Sequence, residues 1–258
     1  MSRSVPFLLA SWLGAQAQAQ PVLFDIDNAP LFSALPLDLT VDGITAHLSA
    51  TSQGFSIQLA NALGFTPAGF GGNCVYPSSV YAADLLISFS APMTGFSILY
   101  APEEYACDSS ATMRVTAYLD STWIGTATTN AVAGTWPSEI LQITTARPFN
   151  RVVVHYDQPP ATGGDWGPIF MADNMTVIAA PPPLVLQNPV LLPNGIVKLY
   201  FTHLPGGTYS IWATSDPATP SANWSLLGAP AEVSPGHYQF DDLLAPGNSQ
   251  RFYCVQSP

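Results

Sequence analysis

The chain has 258 residues, of which 48% are apolar and 9% are charged, and six Lys plus Arg stand against seventeen Asp plus Glu for a net charge of −11. Binding to nucleic acid or to an anionic membrane surface needs clusters of Lys and Arg, so this balance argues against both and favours neutral ligands such as sugars, or cations. The apolar content is typical of packed cores, and 25 prolines with 19 glycines predict many short strands and few long helices.

The N-terminal residues have the pattern of a secretory signal peptide. Arg3 precedes the apolar run VPFLLASWLG, and the small residues of AQAQAQ provide a cleavage site before Pro21. We therefore expect residues 1–20 to be removed and the mature chain to be secreted or held at the cell surface. No later stretch reaches about 18 consecutive apolar residues, so no membrane span is expected.

Residues 21–179 alternate between apolar and polar positions with a period of two, which predicts strands. The Asp42-Gly43 pair between two alternating runs predicts a hairpin turn. We interpret Gly95–Thr129 as three short strands joined by two turns. About eight to ten strands at a spacing of roughly 8–12 residues are typical of a β-sandwich or jelly roll, so we predict a jelly-roll β-sandwich for this segment.

A proline-rich segment separates this region from the rest of the chain. Three consecutive prolines follow Ala180 and predict a short, stiff linker over residues 180–183. Residues 184–258 repeat the all-β theme, with short apolar runs separated by turns rich in Pro and Gly. No repeat period connects the two halves, so we predict that a second, small β-sandwich domain follows the first.

The three cysteines leave one unpaired in an exported chain. Cys74 and Cys107 lie in turn-rich segments of the same predicted domain, so we predict a disulfide between them. Cys254 alternates with Phe252 in the last strand, and we predict that it acts as a small buried apolar residue, not as a reactive thiol.

The chain carries no recognisable catalytic motif, and we predict that it is not an enzyme. A glycosidase needs two carboxyl groups across a cleft, whereas the adjacent Glu103 and Glu104 point to opposite faces of a strand or lie in a turn. The four histidines lack HExxH or HxH spacing, which argues against zinc, and GxSxG is absent. Carboxyl groups that are distant in sequence leave a glycoside hydrolase open as an alternative.

A sugar-binding face needs exposed aromatic rings beside short polar groups. Trp166 with Asp165, in a predicted loop over Gly163–Pro168, is the best candidate in the sequence. Further candidates are Trp136, Trp123 and Tyr105. The alternative is that these rings pack in the core or in turns, as aromatic residues in β-sandwiches usually do.

The C-terminal segment has a pattern of spaced aromatic and charged residues, GGTYSIWATSDPATPSANWSLLG followed by GHYQFDDLLAPGNSQRFYCV. Over most of Leu184–Pro258 it resembles the small β modules that end many exported proteins of Verrucomicrobia-like and related bacteria. The recognisable positions are Tyr209, Trp224, Asp241, Arg251, Phe252 and Tyr253. The chain departs from the pattern at Cys254, where an arginine is usual. The resemblance implies an exported bacterial protein.

Short motifs in the N-terminal half carry a second resemblance. Phe24-Asp25 and Val41–Ala46 stand near its start, and Ala172–Val177 (ADNMTV) stands at its end. These motifs resemble the jelly-roll domains of exported bacterial surface proteins, including those of the PEP-CTERM-associated type. Such folds are similar to galactose-binding-like modules, which implies contact with carbohydrate.

The same resemblance implies a calcium site. In jelly rolls of this kind the first and last strands lie side by side, and an oxygen-rich corner there often holds a structural Ca²⁺. The side chains that would supply oxygen ligands are Asp25, Asp27, Asn28, Asp173 and Asn174. The alternative is that they are solvated turn side chains, since no DxDxDG-like spacing is present.

These features together predict a secreted, non-catalytic binding protein that recognises a carbohydrate or a cell-surface glycan and holds a structural Ca²⁺. The first alternative is an extracellular structural or adhesive protein that binds another protein, and the second is a glycoside hydrolase-like enzyme. Sugar binding requires an exposed tryptophan in a shallow groove, whereas a protein partner requires an apolar patch larger than a few hundred Å². A hydrolase requires two carboxyl groups within about 5–10 Å.

Overall fold

The structure, a computed structural model, describes residues 20–257 except 53, 63, 65, 105–111, 131–136, 159–164, 188 and 244–249, and it omits the side chains of 103, 104, 158 and 165–167. The part described is all-β, and its strands pair in antiparallel fashion. Its helical content is two single 3-10 turns, Ile26–Asn28 and Ser221–Asn223. Among these residues there is no helix long and apolar enough to cross a membrane.

The contacts between residues divide the chain into two units, with the division between Ala180 and Pro181. The described part of the first unit contains ten strands: β1 Pro21–Phe24, β2 Leu37–Val41, β3 Ile44–Ala50, β4 Phe55–Leu59, β5 Asn73–Pro77, β6 Leu85–Glu104, β7 Thr112–Leu119, β8 Thr122–Asn130, β9 Glu139–Gln158 and β10 Asp165–Ala179. Two of them, β6 and β9, are twenty residues long and run through both layers of the unit.

One layer has the strand order β2-β3-β6-β9-β7-β8 and uses the first part of β6 with the last part of β9. The other has the order β4-β5-β10-β6-β9 and uses the remaining parts of the same two long strands, with β1 alongside β10. The inner faces of both layers supply a single apolar core, as expected for a β-sandwich. Its largest fully buried side chains include Tyr100, Phe24, Phe149, Phe170 and Ile57.

The hairpin predicted at Asp42-Gly43 is confirmed. It joins β2 to β3, and Asp42 and Gly43 both have positive φ angles, 50° and 78°, as a two-residue hairpin turn requires. The predicted neighbourhood of first and last strands is also confirmed, because Phe24 of β1 lies opposite Met175 of β10.

The three short strands predicted for Gly95–Thr129 are wrong in one respect. Gly95 does not begin a strand but lies inside β6, which runs on from Leu85 through a bulge between Ser88 and Gly95. A bulge keeps the chain extended while it bends from one layer to the other, so the punctuation at Pro92 and Gly95 marks a bend and not a turn.

Seven strands lie in the second unit where the structure describes it: β11 Val190–Leu191, β12 Val197–Thr202, β13 Ser210–Thr214, β14 Ser225–Gly228, β15 Ala231–Ser234, β16 His237–Asp242 and β17 Phe252–Gln256. They form a sheet of order β11-β12-β16-β15 and a sheet of order β14-β13-β17. Its small core contains stacked rings of Phe201 and Tyr238, 5.0 Å apart. Buried Asp242 is held by Arg251 Nε at 2.9 Å and by the Tyr253 hydroxyl at 3.0 Å.

Candidate functional site

Two features of the first unit bring polar or aromatic side chains together. The first, which we call the acidic corner, consists of Asp25, Asp27 and Asp173. Asp25 and Asp27 flank the start of the 3-10 turn that follows β1, and Asp173 lies on β10 next to it. The pairing of the first and last strands places the three carboxyl groups together.

Two carboxylates of the acidic corner accept hydrogen bonds from the loop that leads into β5. Asp27 Oδ1 accepts a hydrogen bond from the backbone N–H of Asn73, and Asp173 Oδ2 accepts one from Gly71 N–H at 3.2 Å. Asp25 Oδ1 accepts a bond from Asp27 N–H at 3.0 Å and so caps the turn. Each carboxylate therefore already satisfies a backbone donor, which by itself is a sufficient structural role.

Gly72 is required by this arrangement. Its φ is +49°, and a Cβ atom added there would overlap the carboxylate of Asp27. The loop can approach the acidic corner only because position 72 has no side chain.

Asp173 is almost fully buried, with 2% of its surface exposed. Burial raises the pKa of its carboxyl group to about 6, and the nearby charges of Asp27 and Asp25 add to the rise, although hydrogen bonds from Gly71 N–H and Asn174 N–H oppose it. An uncompensated negative charge at this position is therefore costly at neutral pH.

The five predicted calcium ligands are only partly brought together. Asn28 is exposed at the end of the 3-10 turn, and the amide of Asn174 donates to the carbonyl of Gly69 at 3.3 Å. Within the described part of the chain, no three His, Cys, Asp or Glu side chains form a group that could hold a metal ion. A cation at the acidic corner would therefore need backbone or amide oxygens beside the carboxylates, which are ligands that Ca²⁺ accepts.

The second feature is a line of side chains across the solvent face of the first layer, which we call the transverse row. Adjacent members lie opposite each other on neighbouring strands, from β8 through β7, β9, β6 and β3 to β2. Its members are Trp123, Tyr118, Arg151, Ser88, His47 and Asp38. All point away from the core because the alternate positions on these strands are buried, or half-buried on the edge strand β8.

The aromatic end of the transverse row is built by Trp123, Tyr118 and Arg151. Trp123 is 60% exposed on the edge strand, and its indole N–H donates to the hydroxyl of Thr126 at 3.2 Å. That hydroxyl in turn contacts the hydroxyl of Thr116 at 3.3 Å. The guanidinium of Arg151 lies over the Tyr118 ring, 4.7 Å from its centroid, which is a cation–π contact.

The charges on this face are mostly paired. In the transverse row His47 Nδ1 lies 2.5 Å from Asp38 Oδ1. His155, which is four residues beyond Arg151 on β9, is paired with Asp84 at the same distance. Arg114 is paired with Asp157 at 3.2 Å. Among the described residues, Arg151 forms no ion pair.

The tryptophan site predicted from the sequence cannot be assembled from the structure. Tyr105, Trp136 and Cys107 lie outside the described residues, so the disulfide between Cys74 and Cys107 stays a prediction; Cys74 itself is buried.

The loop predicted for Trp166 and Asp165 is wrong. Both belong to the first residues of β10, where Asp165 lies opposite Glu104. The sequence DWGPIF has the Gly and Pro content of a loop, yet it pairs with the end of β6 and belongs to the strand. Local composition gives no information about that partner.

The transverse row was missed because its members are far apart in sequence. Alternation along β7 predicts that Tyr118 lies on the face opposite to Val115 and Ala117, and this much is available from the sequence. The register that puts Arg151 and Trp123 on either side of Tyr118 is a property of strand order, which the sequence pattern does not specify.

No model of a protein family matches the chain, and no curated protein matches it either. Among solved structures, the K2 cleaved adhesin domain of Lys-gingipain is 13% identical with a TM-score of 0.40, over 61% of this chain and 99% of that chain. The CBM51-2 and INT domains of Clostridium perfringens ZmpB are 12% identical with a TM-score of 0.31, over 56% of this chain and 40% of that chain. A CBM4 structure is 10% identical with a TM-score of 0.25, over 65% and 93% of the two chains. Likeness at this level carries no argument about function, which has to come from the geometry of this chain.

Proposed function

We propose that the chain is an exported, non-catalytic carbohydrate-binding protein whose contact surface is the transverse row. The observation that carries the proposal is Trp123, an indole ring that is 60% exposed on a sheet face and stands beside the hydroxyls of Thr126 and Thr116. The apolar face of a pyranose ring stacks on an indole, and short hydroxyl side chains can hydrogen-bond to sugar hydroxyl groups.

The charge distribution supports a sugar as the ligand. The chain is strongly acidic, with a net charge of −11, and on the solvent face that carries the transverse row His47 is paired with Asp38, His155 with Asp84 and Arg114 with Asp157. A polyhydroxylated ligand gains stacking and hydrogen bonds on such a face without having to overcome the overall negative charge.

Trp123→Ala is expected to weaken polysaccharide binding at least tenfold, because loss of the stacking surface removes about 1.5 kcal/mol or more. The measurement is affinity gel electrophoresis of residues 21–258 in gels that contain soluble plant, fungal or bacterial polysaccharides. Tyr81→Ala is the matched control, since Tyr81 is 67% exposed but lies in the loop before β6, outside the row. Migration of wild-type protein that no polysaccharide retards, or equal retardation of Trp123→Ala, would contradict the proposal.

We propose in addition that the acidic corner takes a structural Ca²⁺. The support is that Asp27 and Asp173 both accept hydrogen bonds from the loop that leads into β5, with the charge of Asp25 nearby, together with the cost of burying the negative charge of Asp173 at neutral pH. A divalent cation would offset that charge, and the oxygen-rich surroundings suit a hard ion. Its binding would stabilise the contact between the first and last strands.

Calcium at millimolar concentration is expected to raise the thermal midpoint of the protein by several degrees at pH 7.5, and by less at pH 5, because protons compete for the carboxylates. Asp173→Asn is expected to abolish most of the shift. Asp120→Asn, which changes an exposed turn carboxylate outside the corner, is the matched control. A thermal midpoint that neither calcium nor its chelation changes would exclude the site.

A further inference from the structure

We infer that the ligand of the transverse row is an extended glycan chain that crosses the strands and is bound through several successive sugar units, not through one terminal sugar. The inference rests on the proposed carbohydrate function and narrows it to a class of ligand. It is drawn from the length, the exposure and the chemistry of the row.

The length of the row follows from strand spacing. Its members stand on six neighbouring strands. Five steps of about 4.8 Å give a line of roughly 24 Å. A pyranose unit in an extended chain is comparable in length to one strand spacing, so a row of this length matches about one sugar unit for each step between strands, or about five units.

Both ends of the row are open to solvent. At one end Trp123 is 60% exposed, and at the other end the side chains of His47 and Asp38 are 48% and 65% exposed. Tyr118, Arg151 and Ser88, between them, are half-buried among their neighbours on the sheet. A ligand that lay along the row would therefore meet accessible groups from one edge strand to the other.

The chemistry changes along the row in a way that suits a chain and not a single ring. Trp123 provides a stacking plane, Arg151 provides guanidinium donors that have no carboxylate partner among the described residues, and Ser88 provides a hydroxyl. The His47–Asp38 pair closes the row with one donor-bearing ring and one acceptor. A terminal sugar stacked on Trp123 would leave the last three of these groups unused, since they lie two to five strands away.

Strand order places these groups in line. His155, on the same face but outside the row, can be compared with His47. His155 has the same partner type as His47 and the same 2.5 Å distance, but it stands four residues from Arg151 on β9, about 13 Å off the row. A ligand that follows the row meets His47 and does not meet His155.

The test is calorimetric titration of residues 21–258 with oligosaccharides of one to six units. The probes are oligomers of glucose, xylose, mannose and galacturonate, chosen to include neutral and acidic chains. For the sugar type that binds, affinity is expected to rise with each added unit up to about five and then to level off. Trp123→Ala is expected to weaken every length.

His47→Ala is expected to weaken the five- and six-unit oligomers about three- to tenfold, the effect of one hydrogen bond, and to leave the shortest binding oligomer unchanged. His155→Ala, the matched control, is expected to bind all lengths as wild type does. Circular dichroism and the thermal midpoint establish that each variant is folded.

Three outcomes would overturn the inference. If affinity depends on Trp123 but is already complete with one or two units, the proposed function stands and the extended ligand is wrong. If His155→Ala weakens long oligomers as much as His47→Ala does, the chain does not follow the row. If neither the oligomers nor the parent polysaccharides bind, the proposed function fails and the inference fails with it.

Discussion

At the scale of single residues, Asp173 has the most unusual environment of the described carboxyl groups of the first unit. It lies on β10 where the register against β6 shifts, and the next residue, Asn174, has a φ of +47°. This local distortion turns the Asp173 carboxylate toward Gly71, and Asn174 N–H donates to it at 2.7 Å. Distortions of this kind re-aim side chains on strands, and here the result is a buried acid beside two others.

The raised pKa of Asp173 has a defined effect on stability. In the unfolded chain the carboxyl group loses its proton near pH 4, whereas in the folded protein burial keeps it protonated up to about pH 6. Between these values the folded state binds more protons, so the contribution of Asp173 is favourable at low pH and is lost as the pH rises through 6. Without calcium, we expect this residue to lower the free energy of unfolding by about 2 kcal/mol between pH 4.5 and 7.

Asp173→Asn should remove that loss. The free energy of unfolding of the wild type should therefore fall relative to that of the variant as the pH rises from 4.5 to 7. The measurement is urea unfolding of both proteins at each pH in the presence of a chelator. Titration of the Asp173 carboxyl carbon by NMR gives an independent check. Parallel pH profiles for the two proteins, together with an NMR pKa near 4, would contradict this account.

At the scale of elements, the loop from Gly69 to Asn73 is held by contacts to strands that are remote in sequence. Asp27 and Asp173, which lie near the beginning and the end of the first unit's sequence, both accept hydrogen bonds from it. Gly72 provides the space that the Asp27 carboxylate occupies. The loop therefore depends on tertiary contacts, whereas the Asp42-Gly43 turn depends on its own dihedral angles. Substitution of the two glycines separates these effects.

Gly43→Ala is expected to cost about 1–2 kcal/mol, the penalty for an alanine at positive φ, because no atom lies near its Cβ position. Gly72→Ala is expected to cost about 2–4 kcal/mol, since it pays the same penalty and also displaces the Asp27 carboxylate from the Asn73 N–H. The measurement is the free energy of unfolding in urea at pH 7. Equal losses for the two variants would show that Asp27 does not hold the loop.

At the scale of the whole molecule, one apolar core holds both layers of the first unit together, and the two long strands carry the chain from one layer to the other. The second unit has its own core around Phe201 and Tyr238. The transverse row belongs to the outer face of one layer, and the acidic corner belongs to the junction of the first and last strands. The proposed binding surface and the proposed calcium site thus lie in different parts of the first unit.

The all-β class could be predicted from the sequence because it follows from local properties. Alternation along TMRVTAYL buries Met113, Val115 and Ala117 whatever strand lies beside them, and Asp42-Gly43 favours a tight turn by its own backbone preferences. The continuity of β6 could not be predicted in the same way. Proline and glycine at 92 and 95 look alike in a turn and in a bulge, and only the neighbouring strands distinguish the two.

For the candidate site too, some features could be predicted from the sequence and others could not. The sequence by itself determined which residues carry suitable chemistry, including Asp25, Asp27 and Asp173, because carboxylates and indoles are recognisable wherever they occur. The tertiary structure alone decided that Trp123 and Arg151 flank Tyr118 and that His47 extends the same line, and that Asp173 is buried. The physical reason is that strand order and register are set by packing between distant segments, such as β1 and β10 with Phe24 opposite Met175, and no local pattern records them.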